Sequence, residues 1–159
     1  MRQRVEGAID AVGLIDYADK PVHNLSFGQK KRVCIAGVLA MQPQVMILDE
    51  PTAGLDRKMR QALLKIPQRL HDEGITIIIA THDVDLAYSW ADEARILAQS
   101  RGVRQCTCEE FLVASETLEC NGLGMPYVAQ LYRLVVGRGL LSPGKHIPRS
   151  CDELMRLLA

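Results

Sequence analysis

Two short apolar runs, each followed at once by polar side chains, constrain the fold of this chain most. The runs occupy residues 45–48 and 75–80 and consist mainly of aliphatic residues. The polar residues that follow them are Asp49, Glu50, Thr81, His82 and Asp83. Short, continuous apolar runs of this kind are typical of strands buried on both faces, which belong to parallel sheets.

Helical patterns alternate with these runs. They cover residues 2–13, 26–41, 57–71 and 84–90, and a third, weaker strand is predicted at residues 94–98 of the same parallel sheet. Pro67 should kink or shorten the third helix. The alternation predicts an α/β fold, a parallel sheet with flanking helices.

Beyond residue 100 the character of the sequence changes. Glycine and proline become frequent, and helical patterns at residues 109–119 and 127–136 indicate a small C-terminal helical appendage. We therefore divide the chain into residues 1–100 and 101–159.

Composition excludes several classes of protein. Hydrophobic residues make up 48% of the chain, which allows one compact core, and 19 basic residues balance 19 acidic ones. A neutral chain lacks the basic footprint of nucleic-acid binding, so we expect no nucleic-acid partner. No apolar run is long enough to span a bilayer, and the five cysteines are too irregularly spaced for a disulfide framework.

The polar residues at the strand ends indicate phosphate chemistry. In open α/β sheets, ligands bind outside the carboxyl ends of the strands. The carboxylate of Asp49 could hold a hydrated Mg²⁺, that of Glu50 could orient or deprotonate an attacking water, and His82 could reach a terminal phosphate. From this pattern alone, carboxylates that merely begin a turn are an equally good interpretation.

The surrounding motifs resemble the ATPase subunits of ABC transporters. They are Leu-Ser-Phe-Gly-Gln at residues 25–29, Asp-Glu-Pro at 49–51, Thr-Ala-Gly-Leu-Asp at 52–56 and Thr-His-Asp at 81–83. Their order and spacing are similar to those of the family over about residues 1–100. Phe27 replaces a glycine that is usual in the family, as it does in the subgroup that powers energy-coupling-factor importers for cobalt and nickel.

The resemblance implies a role for the segment that begins at Ser26. Ser26, Gly28 and Gln29 belong to the family's signature motif, which binds the ATP held by the other subunit of a head-to-tail dimer. The first free N–H groups of a helix form an anion site that the helix dipole strengthens. Gly28 would let the backbone come close to the phosphates.

The resemblance also implies roles for the later motifs. Asp49 is the carboxylate that binds the Mg²⁺ of the nucleotide through water, and Glu50 is the catalytic base. Asp56 closes the D-loop, which reaches across the dimer, although Arg57 replaces the usual proline. His82 is the switch residue that senses the γ-phosphate.

The phosphate-binding loop that the family places before the signature does not occur in residues 1–25. Residues 139–146, Gly-Leu-Leu-Ser-Pro-Gly-Lys-His, imitate such a loop. His146 replaces the Ser or Thr that would bind Mg²⁺, Pro148 disfavours the helix that should follow, and the stretch comes after His82. We interpret it as a turn and expect this chain alone to lack ATPase activity.

The resulting hypothesis is a partial ATPase subunit of an energy-coupling-factor importer for cobalt or a related divalent metal. It needs ATP and Mg²⁺, a second ABC ATPase subunit that is identical or different, and integral membrane subunits. We expect it at the cytoplasmic face of the cell membrane, as a peripheral protein. The alternative is a non-catalytic interaction or regulatory module that pairs with an intact ABC ATPase subunit. An ABC-type ATPase of DNA repair is disfavoured, since the sequence shows no coiled-coil heptads and no basic patch.

Overall fold

The computed structural model describes residues 1–98, 102–107, 122–144 and 147–159, and the chain forms two compact units, Met1–Thr81 and His82–Ala159. The first unit contains α1 (Arg2–Ala11), α2 (Phe27–Leu39), β1 (Val45–Asp49), α3 (Arg57–Asp72) and β2 (Thr76–Ala80). Two short 3₁₀ turns, Ile15–Tyr17 and Val22–Asn24, connect α1 to α2. The second unit contains α4 (Val84–Trp90), β3 (Glu93–Ala98), β4 (Gly102–Thr107), α5 (Tyr127–Gly137) and α6 (Cys151–Leu158).

The strands of the first unit form a parallel pair, as the sequence predicts. Met46 lies opposite Ile77, and Asp49 lies opposite Ala80. Met46 is only 1% exposed, whereas its neighbour Ile47 is 70% exposed, because alternate side chains of a strand point to opposite faces. The prediction that both faces are buried is therefore wrong for the described residues: the helices of this unit cover one face only.

The core of the first unit lies between this covered face and the three helices. It consists of Ala8, Val12, Leu14, Ile35, Ala36, Met46, Leu55, Leu63, Ile66 and Leu70. Helix α1 ends at Ala11, two residues before the end of the predicted pattern, and Gly13 turns the chain with φ +68°, a conformation that glycine reaches without strain. Helix α3 continues through Pro67 to Asp72, so of the two predicted effects of this proline the shortening is wrong and the kink stays a prediction. Buried Leu63, Ile66 and Leu70 on either side hold the helix in place despite the lost backbone hydrogen bond.

The second unit corrects the prediction made for the third strand. Strand β3 pairs antiparallel with β4, with Ala94 opposite Cys106, in a separate two-stranded sheet. The predicted membership of β3 in the parallel sheet is therefore wrong, because a second strand that the sequence analysis missed follows it closely and pairs with it. Among the residues that the structure describes, the core of this unit contains Tyr88, Ala94, Ile96, Val128, Tyr132 and Leu154.

The helices of the second unit agree with the sequence only in part. Helix α5 confirms the pattern at residues 127–136, α6 was not predicted, and the pattern at residues 109–119 lies outside the described residues. The boundary drawn at residue 100 stays a prediction about where the family motifs end. None of the helices in the described parts of the chain is both long and apolar enough to cross a membrane.

Candidate functional site

Helix α2 begins with a complete capping box. The backbone N–H of Gln29 donates to Ser26 Oγ at 3.3 Å, and the N–H of Ser26 donates to Gln29 Oε1 at 2.8 Å. Two of the four N–H groups that a helix start leaves without intrahelical partners are thereby satisfied. The N–H groups of Phe27 and Gly28 are the remaining two, and they face outward along the axis of a 13-residue helix. These two N–H groups are the ones that the predicted anion site would use, and the site stays a prediction.

Positive charge lies next to this helix start. A cavity of about 350 Å³ adjoins it, and its walls include Ser26, Gly28, Gln29, Arg32 and Leu55. An arginine in the wall adds to the partial positive charge of the helix N-terminus. Arg32 has no role in the sequence-based prediction, although it stands on the second turn of α2, where a side chain can reach back toward the start of the helix.

Gly28 is buried against the loop that leads into α3. A Cβ atom placed on it would lie 3.7 Å from Leu55 Cδ2 and 3.7 Å from Met59 Sδ, both ordinary contacts. Packing within this unit therefore does not require glycine at this position. Close approach of a ligand from outside, which the resemblance implies, remains a sufficient reason for it.

The turn after β1 holds Glu50 in an uncommon backbone conformation. Its φ is +42°, in the left-handed region, which costs a residue other than glycine about 1–3 kcal/mol. The strand partner supports the turn, because the N–H of Glu50 donates to the Ala80 carbonyl at 2.9 Å. The turn aims a half-buried carboxylate away from the strand direction, and strain of this kind is concentrated at functional sites.

Two side chains fix Glu50 in this turn. Thr81 Oγ1 donates to Glu50 Oε2 at 3.1 Å, which orients the carboxylate from the end of β2. Lys31 Nζ donates to the backbone carbonyls of Glu50 at 3.1 Å and Pro51 at 2.8 Å. Neither Thr81 nor Lys31 has a role in the sequence-based prediction. A signal for Lys31 existed: it stands three residues after Gly28 and four before Ile35, on the buried face of α2.

Asp49 ends β1 with its carboxylate exposed. Among the described residues, no group of three or more His, Cys, Asp or Glu side chains could hold a metal ion. A single carboxylate nevertheless fits Mg²⁺, which proteins commonly bind through one or two carboxylates, with water and substrate phosphates completing its coordination. Asp49 therefore fits the sequence-predicted contact to the Mg²⁺ of a bound nucleotide, and the contact stays a prediction.

Asp56 is the N-cap of α3. Its Oδ1 accepts from the backbone N–H of Met59 at 2.8 Å, and its own carbonyl accepts from Arg60. The preceding Gly54 adopts φ +73°, so the segment turns sharply before the helix. Asp56 therefore caps α3, and its contact with a partner subunit across a dimer stays a prediction.

His82 opens the second unit, two residues after the end of β2. It is half-buried and directly precedes Asp83, whose Oδ1 accepts from Leu86 N–H at 3.0 Å as the N-cap of α4. The cap fixes the backbone next to His82. The expected closeness of His82 to Glu50 stays a prediction, as does its role as a switch residue.

The stretch at residues 139–146 is described up to residue 144. Gly139 adopts φ +71° in a turn that follows α5, and residues 145–146 lie outside the described residues. No helix begins at Ile147 or Pro148, and α6 starts only at Cys151. A phosphate-binding loop needs a helix at its end, so these features support the interpretation as a turn.

Comparison with known proteins shows the family of this chain. Residues 1–53 match the family model described as ABC transporter. This segment contains the capped helix start and the pair Asp49–Glu50. Together with the relatives below, the match shows that the chain belongs to the ATP-binding proteins of ABC transporters.

The relatives include energy-coupling-factor proteins. The chain is 42% identical over 132 residues to the energy-coupling factor transporter ATP-binding protein EcfA of Methanosphaera stadtmanae, covering 83% of this chain and 48% of that protein. It is 44% identical over 135 residues to the EcfA of Methanocaldococcus jannaschii, covering 85% and 48%. The chain thus spans about half the length of these curated relatives.

Solved structures show the same fold. A structure of cbiO1 from Clostridium perfringens, described as part of the ABC transporter complex cbiONQ, is 44% identical with a TM-score of 0.65, over 82% of this chain and 52% of that one. An inward-facing metal-chelate type ABC transporter superposes with a TM-score of 0.69 at 24% identity, over 76% and 47%. The chain therefore has part of the P-loop NTPase fold of ABC ATPases, as its motifs predict.

Proposed function

We propose that this chain supplies the signature and the catalytic carboxylates of an ATP-hydrolysing subunit of an energy-coupling-factor importer. ATP is the substrate, and the phosphate-binding loop comes from a segment outside residues 1–159. The kinship with EcfA proteins supports the class, and the motifs at residues 26–29 and 49–56 support the division of roles.

One observation carries the proposal most directly: Glu50 is held in a left-handed turn at the end of β1, with its carboxylate hydrogen-bonded by Thr81. A carboxylate that only begins a turn needs no such support. A carboxylate that must orient a water for attack on a phosphate does, because misplacement by about 1 Å can cost on the order of 100-fold in rate.

In the proposed mechanism, Glu50 accepts a hydrogen bond from the attacking water and takes up its proton as the water oxygen bonds to the terminal phosphorus. The bond from that phosphorus to its bridging oxygen breaks in the same step, and ADP leaves with the bridging oxygen. His82 contacts the terminal phosphate and stabilises the charge that develops there. Mg²⁺, when bound with ATP near Asp49, would neutralise charge on the phosphates.

The start of α2 acts on the ATP of a partner subunit. The outward N–H groups of Phe27 and Gly28, the Ser26 hydroxyl and the nearby guanidinium of Arg32 form a site suited to a terminal phosphate. This arrangement requires a head-to-tail dimer in which each signature faces the other subunit's nucleotide. Asp56, in the neighbouring loop, extends toward the same partner.

We further propose that the importer carries cobalt or a related divalent metal and that the subunit is peripheral at the cytoplasmic face of the membrane. The cargo rests on Phe27 in the signature and on the segments at residues 30–33 and 83–86, which are similar to the cobalt and nickel subgroup. Uptake of labelled cobalt by cells that carry the assembled importer, with nickel and an unrelated vitamin as competitors, tests it. Uptake of labelled cobalt no higher than in cells that lack the importer, or uptake that the vitamin suppresses and nickel leaves unchanged, contradicts it.

The activity is tested by supplying the missing loop. The chain is joined to the N-terminal half of the Methanocaldococcus jannaschii EcfA, and ATP hydrolysis is compared with that of the chain alone. We expect turnover only from the joined protein, with loss on Glu50→Gln and no change on Glu6→Gln, a control at an exposed glutamate that pairs with Arg2 on the surface of α1. Turnover by the purified chain alone, or full activity of Glu50→Gln, contradicts the proposal.

A second candidate is a non-catalytic module that pairs with an intact ABC ATPase subunit. The open face of the β1–β2 pair favours it as a specific observation, since Ile47 is 70% and Ile78 49% exposed. An exposed apolar sheet face calls for a covering partner. Titration of the chain carrying both Glu50→Gln and Ser26→Arg into an intact EcfA separates the two: a regulatory module still changes the ATPase rate of that subunit, whereas the contributions of the signature and the catalytic carboxylate are lost.

A further inference from the structure

Helix α2 carries a lysine on its buried face. Lys31 follows Gly28 by one helical turn and precedes Ile35 by another, and both of these neighbours are buried. Burying part of a lysine stem while its ammonium finds partners is a common arrangement, but the partners here are unusual. They are two consecutive backbone carbonyls, those of Glu50 and Pro51, rather than a carboxylate.

The two hydrogen bonds from Lys31 hold the carbonyl groups of the strained turn at Glu50. Lys31 Nζ lies 3.1 Å from the carbonyl oxygen of Glu50 and 2.8 Å from that of Pro51. The N–H group of Glu50, at the start of the turn, donates to the carbonyl of Ala80 in β2 at 2.9 Å. Hydrogen bonds from a charged donor are stronger than neutral ones, so the ammonium opposes relaxation of the turn toward an ordinary φ. The backbone of Glu50 is thus hydrogen-bonded by β2 at its N–H and by α2 at its carbonyl.

Phe27 connects this lysine to the first turn of the signature. Its ring centroid lies 5.4 Å from Lys31 Nζ, within the range of a cation–π interaction. The same ring lies against Gly54, where an added Cβ would approach Phe27 Cε1 to 3.2 Å. The residue that replaces the usual glycine of the signature therefore contacts both the lysine and the loop that follows Glu50.

From these contacts we infer that Lys31 is a positioning residue for Glu50, and that it fixes the turn of the catalytic carboxylate to the helix that carries the signature. A lysine that only fastened α2 to β1 would affect stability alone. A lysine that sets the backbone of Glu50 affects the aim of the carboxylate, and so the rate of the chemical step. The inference rests on the proposed function, since it takes Glu50 as the residue that orients the attacking water.

The test compares three variants. In the joined ATPase described above, Lys31→Met removes the ammonium and keeps the stem, Lys31→Arg keeps a charged donor, and Lys30→Met is a matched control on the same turn. Lys31→Gln replaces Lys31→Met if the latter does not fold. We expect Lys31→Met to lower kcat on the order of 10- to 100-fold with KM for ATP nearly unchanged. Lys31→Arg should restore most of kcat, and Lys30→Met should match the parent.

A second measurement uses the 159-residue chain itself. Amide hydrogen exchange should accelerate in Lys31→Met at Glu50 and Ala53, whose N–H groups bond within and beside the turn, and should not change in Lys30→Met. If the joined parent protein hydrolyses no ATP, the proposed function fails, and this exchange pattern alone decides whether Lys31 holds the turn. Unchanged exchange at residues 50–53, or a kcat of Lys31→Met equal to that of the parent, overturns the inference. Parallel losses in kcat and thermal stability that Lys31→Arg does not rescue also overturn it.

Discussion

Thr81 Oγ1 donates a hydrogen bond to Glu50 Oε2 at 3.1 Å, so the end of β2 orients the carboxylate that follows β1. The two strands run parallel, with Asp49 opposite Ala80. The residues that follow, Glu50 and Thr81, therefore lie next to each other at the same edge of the sheet. This pairing makes the carboxylate of Glu50 depend on a hydroxyl 31 residues away.

Thr81→Val tests this dependence with a nearly isosteric change. We expect kcat of the joined ATPase to fall by about tenfold, because the carboxylate loses an orienting donor, while KM for ATP is kept. The free energy of unfolding should change by about 1 kcal/mol, the usual net value of one hydrogen bond. Steady-state kinetics and urea denaturation measure the two effects.

Thr76→Val is the matched control. Thr76 begins the same strand, is exposed, and lies far along β2 from Glu50. Equal effects of the two substitutions on kcat would contradict an orienting role for Thr81.

Sequence reasoning found the strand ends but not how their side chains are held. The apolar runs before Asp49 and Thr81 placed the parallel pair correctly, because the composition of a strand is a local property. Lys31 and the Glu50 carbonyl that it binds are 19 positions apart, and no local pattern reveals such a contact. The left-handed φ of Glu50 is equally invisible in the sequence, since it depends on these distant partners. The pairing of β3 was mispredicted for the same reason, since a strand's partner depends on the rest of the chain.

Ser26 allows the two tasks of the signature to be separated. Ser26→Asp retains an N-cap acceptor for the Gln29 N–H, so the free energy of unfolding should stay within about 0.5 kcal/mol of the parent. Its negative charge at the helix start should repel a terminal phosphate and abolish stimulation of a partner subunit. Mixed dimers with an intact EcfA, assayed for ATP hydrolysis, measure this loss.

Ser26→Ala is the complementary variant. It removes the cap without adding charge, so it should destabilise the chain by roughly 0.5–2 kcal/mol and impair the partner subunit less than Ser26→Asp does. Full activity of the mixed dimer containing Ser26→Asp would rule out the role in the partner's site. Ser26→Arg, which fills the site with a long side chain, should also abolish stimulation.

Asp56 combines a helix cap with a proposed contact across the dimer. Asp56→Ala should lower the free energy of unfolding by about 0.5–2 kcal/mol, because the Met59 N–H loses its acceptor. Asp56→Asn keeps a capping oxygen and should remain close to the parent in stability. If the carboxylate also contacts the partner subunit, the Asp56→Asn variant loses ATPase activity while it keeps its stability. A fully active Asp56→Asn variant would mean that Asp56 only caps α3. Urea denaturation and ATPase assays on the same samples distinguish these results.

The two faces of β1 should respond in opposite ways to polar substitution. Met46 is 1% exposed and belongs to the core, so Met46→Thr should destabilise the chain by roughly 2–5 kcal/mol. Ile47 is 70% exposed on the open face, so Ile47→Thr should leave the free energy of unfolding nearly unchanged and reduce self-association, measured by sedimentation velocity. In the joined ATPase the same Ile47→Thr should become destabilising, because the added half covers this face. If Ile47→Thr costs equally little with and without that half, the open face is not where the rest of the ATPase packs.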